Sequence, residues 1–390
     1  MDLLLNRLWR INIVFCAGIA VTTLYELPGI TSMLFYASFM ITAICMWICC
    51  SGKITQYLAG TVYVLIFIIL FGIISVAQGH LSFDYLKKFI IYIATLISFF
   101  VSVRMNVSKG TVKVLLTSNV IVSVLYVVRA QADGAYIQET LWLFFSNPNF
   151  AGMWLFMSLM LLLVAAMYAS KKLIKCTLVA LAICLGYLCF QTGARNVWFS
   201  IGYAVVLSGV CLLSKTTRFK KRFIFAICIF PLIFALAYMF VISNGLFTES
   251  ISDALVSEGK PITSRFAIWR NAFEYIGSYP LFGAYSVIGR GSGSFQLHNT
   301  HIDMWAAYGT VGLVLFLVYI YRIMKEVNDS CNTKGAMFAL AGFMCMTLMG
   351  TAEASLYATG MGMYIFVSSF LLLANYMNRR EKNENRISLN

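Results

Sequence analysis

Apolar residues run along this chain in stretches of about 16–25 positions, separated by short polar segments. A helix of that length covers the ~30 Å hydrocarbon core of a bilayer. Twelve such stretches stand at 8–27, 30–50, 55–78, 86–103, 111–129, 149–169, 173–191, 196–214, 221–243, 300–324, 335–352 and 359–377. Lipid offers no partner to a backbone N–H or C=O, so each stretch has to close its own hydrogen bonds. The pattern predicts an all-α integral membrane protein of about twelve transmembrane helices.

Composition and charge sharpen that picture. The chain has 390 residues, 61% hydrophobic and 11% charged, which excludes a soluble multidomain protein. With the N-terminus inside, 21 of the 29 Lys and Arg residues fall in cytoplasmic segments, and the exceptions are Lys87, Lys88, Arg129, Arg195, Lys260, Arg265, Arg270 and Arg290. That bias predicts both termini inside and an even number of crossings. The net charge of +14 then reports topology and calls for no nucleic-acid partner. The first stretch follows Arg7 and Arg10 as a signal peptide would, yet no small-residue cleavage site precedes the second, so it reads as a retained anchor. The eleven cysteines lie in stretches or on the cytoplasmic side, which argues against a disulfide framework or zinc cluster. Four regions follow: 1–243 with helices one to nine, an external loop at 244–299, 300–377 with helices ten to twelve, and a cytoplasmic tail at 378–390.

The external loop, from Ser243 to Leu297, is too long for a passive connector. Ser264 is placed to cap a helix carrying Trp269, Ala272, Phe273 and Ile276 at helical spacing, with Pro280 stopping it. Such a helix is expected along the membrane surface, its rings in the interface. Gly289 to Ser294, around Arg290, either cups an anion or serves as a hinge. All three histidines, His80, His298 and His301, fall at or beyond the outer surface in this topology. His298 and His301, three apart, are expected on one face at the start of the tenth helix, either anchoring it or taking a proton from a hydroxyl. Arg195 stands at the end of the seventh stretch, in Gln191-Thr192-Gly193-Ala194-Arg195-Asn196, with almost no loop around it. A guanidinium there needs an anion or a carboxylate. Arg265 binds an anion, snorkels, or pairs with Glu258; Lys87, Lys88 and Arg129 snorkel to lipid phosphate or join a positive rim suited to a diphosphate.

These residues resemble a family. His298-Asn299, nine further residues, then Gly309-Thr310-Val311-Gly312 is similar to the signature of the O-antigen ligase and polymerase superfamily. Arg195 after Thr192-Gly193, Ser264-Arg265 with Trp269, Pro280 and Gly283, and Asn147-Pro148-Asn149 also match its pattern. The chain departs from it at Ala194, where Ser is common, and at Tyr308, where ligases often carry an acidic residue. The resemblance implies a C-type membrane glycosyltransferase, independent of metal and cofactor, in the bacterial cytoplasmic membrane. Its substrate would be an undecaprenyl-diphosphate-linked oligosaccharide at the outer face, with membrane lipids around it and a flippase and chain-length regulator as partner proteins. By the same resemblance His298, Arg195 and Arg265 are catalytic. Asn299, His301 and Arg290, with the rim of Lys87, Lys88 and Arg129, are expected to bind substrate, and the resemblance implies that Gly309 and Gly312 let a neighbouring helix pack closely. Polymerase is favoured over ligase. A flippase is the reading from another class, and it should place charges at mid-membrane and show two related halves, neither of which is evident.

Overall fold

In the computed structural model, the described residues are 1–51, 66, 83–132, 134–137, 139–143, 145, 147–244, 264–283, 297–352 and 363–387. Twelve helices occur among them: α1 (Asp2–Leu24), α2 (Pro28–Ser51), α3 (Phe83–Arg104), α4 (Lys109–Arg129), α5 (Pro148–Tyr168), α6 (Lys172–Gln191), α7 (Arg195–Leu213), α8 (Lys221–Ser243), α9 (Ser264–Ser278), α10 (Thr300–Ser330), α11 (Lys334–Met349) and α12 (Met363–Ile387). A two-residue antiparallel ladder, β1 (Tyr136–Ile137) with β2 (Thr140–Leu141), lies between α4 and α5. Eight helices, α1, α2, α4 to α8 and α10, are long and apolar enough to cross a bilayer. The protein is a multi-pass, all-helical integral membrane protein. The stretch at 55–78 lies outside the described residues apart from Ile66, and so does His80.

Local sequence starts several helices. Ser108, Asn147 and Thr333 each accept a backbone N–H in the first turn of α4, α5 and α11, and Pro148 follows its cap at a position that needs no donor. A helix apolar all round belongs in the middle of a bundle. Accordingly α5 and α11 are buried on nearly every side, whereas α6, α7 and α8 present Ile183, Phe199 and Phe240 outward. α11 is only 16 residues long, and protein rather than lipid surrounds it.

Polar contacts sort the helix ends into two faces. At one, the Asn6 amide reaches Asn106, Ser108 and Thr111, and the Arg104 guanidinium meets the Glu326 carboxylate at 2.8 Å. There too Arg218 donates to the Cys331 carbonyl, Asn375 donates to those of Ser102, Val103 and Met105, and Lys334 donates to those of Cys211 and Ser214. These segments hold the basic residues that the charge alternation placed together, so this end is called the basic face. The opposite end carries the links of Leu24 with Arg129, Thr300 with Gly350, and Pro280 with Thr310.

Candidate functional site

The site forms around a proline. Pro231 sits midway along α8 and lacks the N–H that would bond the Ile227 carbonyl, while its ring crowds the turn before it. Two side chains from the start of α10 fill the disturbed turn. His301 donates from Nε2 to the Cys228 carbonyl at 2.7 Å, and Asn299 donates from Nδ2 to the carbonyls of Pro231 at 3.0 Å and Thr351 at 3.1 Å. Asn299 also caps α10, its Oδ1 accepting from the N–H groups of His301 and Ile302 at 2.9 and 3.0 Å. Its amide therefore spends both donors and both acceptor positions on protein. The Thr300 N–H adds a bond to the Gly350 carbonyl.

This geometry corrects three expectations. α10 begins at Thr300, and His298 precedes it with a left-handed backbone (φ 49°), so His298 and His301 do not share a helical face. His301 is 1% exposed, with its ring against Phe316, so it is a buried strut and does not line a water boundary. Asn299 is fully buried with its amide committed, which removes it as a substrate ligand. Depth is corrected as well. Pro231 lies twelve positions short of Ser243, roughly 18 Å down α8 by helical rise, so Asn299 is bonded inside the bundle and not at its outer surface.

His298 is half-buried. A non-glycine residue in the left-handed region costs on the order of 1–3 kcal/mol and persists only where its surroundings fix it. Asn299 fixes one side of it, and on the other the Trp269 indole N–H donates to the Leu297 carbonyl at 2.6 Å.

α9 supplies that tryptophan. Trp269, Ala272 and Ile276 share one face as their spacing predicted, but the face packs on Ala235, Leu297, Ile302 and Ala306, with Tyr238 edge-on to Trp269 at 5.1 Å. The expectation of a helix with its rings in the lipid interface is thus corrected, because protein covers the rings. Ser264 lies at the start of the described part of α9, and its side chain, expected to cap the helix, lies outside the described set. Arg265, half-buried in the first turn, acts electrostatically on Tyr238.

The Gly309-Thr310-Val311-Gly312 element also differs from expectation. Gly309 (φ 66°, ψ −173°) breaks α10, and the chain after α9 enters the break, with Thr310 N–H donating to Pro280 at 2.8 Å and Val311 N–H to Leu281 at 3.2 Å. A Cβ on Gly309 would lie 2.3 Å from the Leu281 carbonyl carbon, and one on Gly283 (φ 74°) 2.4 Å from the Ala307 oxygen. What approaches Gly309 is therefore a turn rather than a neighbouring helix. Gly312 is buried one turn on.

Arg195 opens α7 rather than ending the helix before it. Gly193 (φ 58°) makes the turn, Thr192 Oγ1 accepts from the Ala194 N–H, and Gly152 of α5 lets Thr192 and Val197 close in. Asn147-Pro148-Asn149 caps that same α5. At the basic face Lys334 bonds Cys211, fixing α7 and α11 side by side and antiparallel. Arg195 stands sixteen positions above Cys211 and Gly350 sixteen above Lys334, so both lie roughly 24 Å from the basic face. The start of α7 and the His298–Thr300 segment, bonded to Gly350 and Thr351, are therefore both carried on the side of the α7–α11 pair away from the basic face.

Arg129 stands at the same end of the bundle, on the last turn of α4. Arg129 donates to the Leu24 carbonyl and lies over the Tyr25 ring at 5.1 Å, tying α4 to α1. Lys87 and Lys88 lie early in α3 with side chains outside the described set, and Arg290 lies outside it altogether. Pro231 was missed from sequence. Its only signal was a proline in an otherwise uniform apolar span.

Fold and site together define a multi-pass membrane protein in which a strained His298–Asn299 segment is docked on a proline-bearing helix inside the bundle. Residues 179–317 match the family model described as O-antigen ligase, a stretch that takes in Arg195, Arg265, His298, Asn299, Gly309 and Gly312. The match bears out the resemblance to the O-antigen ligase and polymerase superfamily. No curated protein and no solved structure matches the chain.

Proposed function

We propose that this protein is a bacterial cell-surface polysaccharide polymerase of the cytoplasmic membrane, joining undecaprenyl-diphosphate-linked repeat units at the outer face. In this reading the chain crosses the membrane twelve times with both termini in the cytoplasm, and 244–299 is the external loop between the ninth and tenth spans. A flippase delivers the lipid-linked units and a chain-length regulator acts beside it.

The reaction needs no metal in this account. The acceptor hydroxyl oxygen attacks the anomeric carbon of the lipid-linked glycan while His298 takes the hydroxyl proton, and the bond from that carbon to the diphosphate oxygen breaks. One displacement inverts the anomeric centre. Arg195 and Arg265 hold the diphosphate as it gathers charge, since a planar guanidinium matches paired phosphate oxygens.

The observation that carries this reading is the strained backbone at His298 (φ 49°), held between Asn299 and Leu297. Strain of that kind gathers where a side chain has to be aimed. A second reading, a ligase that moves glycan to lipid A core or another acceptor, draws on the description of the matching family. Against it, Tyr308 stands where ligases often carry an acid, and its ring packs on Tyr92 at 5.5 Å in a buried position. In cells, His298→Ala at normal membrane level should leave single repeat units on the carrier. A polymer ladder of wild-type length would overturn the proposal.

A further inference from the structure

We infer that Asn196 is a further binding residue of the site, its side-chain amide taking a phosphate oxygen of the lipid diphosphate beside Arg195. This rests on the transfer reaction proposed above and adds a residue to it. Asn196 is 1% exposed, and neither its Oδ1 nor its Nδ2 has a hydrogen-bond partner. A buried amide with neither end satisfied forfeits its hydration without return, and native proteins keep such groups where something else needs them.

The position says what that is. Asn196 follows Arg195 in the first turn of α7, a 19-residue helix whose N-cap, Ala194, offers no side-chain acceptor. The positive end of the helix dipole makes that turn attractive to an anion. Its direction follows from helical spacing. Tyr203, seven positions on, lies on the same stripe, and its ring meets Phe230 of α8 at 6.1 Å. Phe230 precedes Pro231, whose carbonyl Asn299 holds, so the stripe faces the part of α8 on which the His298 segment is docked. Val197, a third of a turn away, instead meets α5 at Gly152. The amide thus faces the His298 side and not the α5 side.

The same feature supplies the test. Asn196→Leu removes an unsatisfied polar group and keeps the shape, so it should fold at least as stably as wild type while losing a ligand contact. The protein in lipid nanodiscs is titrated with undecaprenyl diphosphate, and thermal unfolding is followed in parallel. The expected result is affinity at least tenfold weaker with an unchanged or higher unfolding midpoint, as for a lost hydrogen bond to a charged group. Unchanged affinity would overturn the inference. A lowered midpoint would too, since it would show the amide holding the fold together. His298→Ala separates this from the larger reading. If His298→Ala is inactive while Asn196→Leu binds normally, only the role of Asn196 falls. If wild type does not bind the diphosphate and His298→Ala still transfers glycan, the transfer reading falls with it.

Discussion

Asn299 shows how one side chain serves two structural tasks. A cap needs only an acceptor, and Asp serves there as well as Asn. The Nδ2 bonds to Pro231 and Thr351 need a donor, which a carboxylate lacks. Asn299→Asp should therefore keep the cap and lose the clamp, leaving an uncompensated buried charge that costs roughly 3–5 kcal/mol. Thermal unfolding of the purified variant reads this directly; a midpoint equal to wild type would mean that the cap alone matters. In sequence only the neighbourhood of this residue was legible. His298-Asn299 stood out through its resemblance to the family signature with Gly309, but whether Asn299 faces ligand or protein depends on two carbonyls, one of them that of a proline 68 positions earlier.

Among the elements, α10 separates what an apolar run reveals from what it hides. Lipid demands a continuous apolar stretch, so the existence of the helix was plain. The break at Gly309 was not, because apolar residues continue through it and the missing helical bonds are replaced by Pro280 and Leu281 from another segment. α9 was legible as an amphipathic helix, though its partner was not, because rings at helical spacing suit lipid and protein equally. The docking of α9 onto α10 has a sharp consequence. Gly309→Ala requires a strained left-handed alanine and a 2.3 Å contact with backbone, costing roughly 3 kcal/mol or more. Gly202→Ala, at an exposed helical position with nothing within 4 Å, should change stability by no more than about 1 kcal/mol. Comparing folded yield and unfolding midpoint for the pair checks this; equal behaviour would show that the α9 turn does not sit in the α10 break.

At the scale of the whole molecule, the alternation of basic residues foretold which helix ends lie together, and the contacts of Asn6, Arg104, Arg218 and Lys334 gather those ends at one face. Charge can do this because it is read during insertion, segment by segment, whereas packing is settled between segments distant in sequence. The proposed orientation gives a simple expectation for intact cells. A cysteine at exposed Glu139 should react with a membrane-impermeant maleimide, and one at exposed Thr216 should react only after permeabilisation. The reverse pattern would invert the topology and put the site on the cytoplasmic side.

The central claim is that His298 drives glycan transfer from a lipid diphosphate, and reconstitution tests it most directly. Purified protein in proteoliposomes is given lipid-linked glycan extracted from cells that lack this chain, and both glycan length and released undecaprenyl diphosphate are measured. Wild type should lengthen the glycan and release one diphosphate lipid per linkage formed, without added metal. His298→Ala, with an unchanged unfolding midpoint, should slow both by ~10²–10⁴-fold, the range of a lost acid–base group. Equal rates for the two proteins, or glycan that lengthens without release of the diphosphate lipid, would contradict the account.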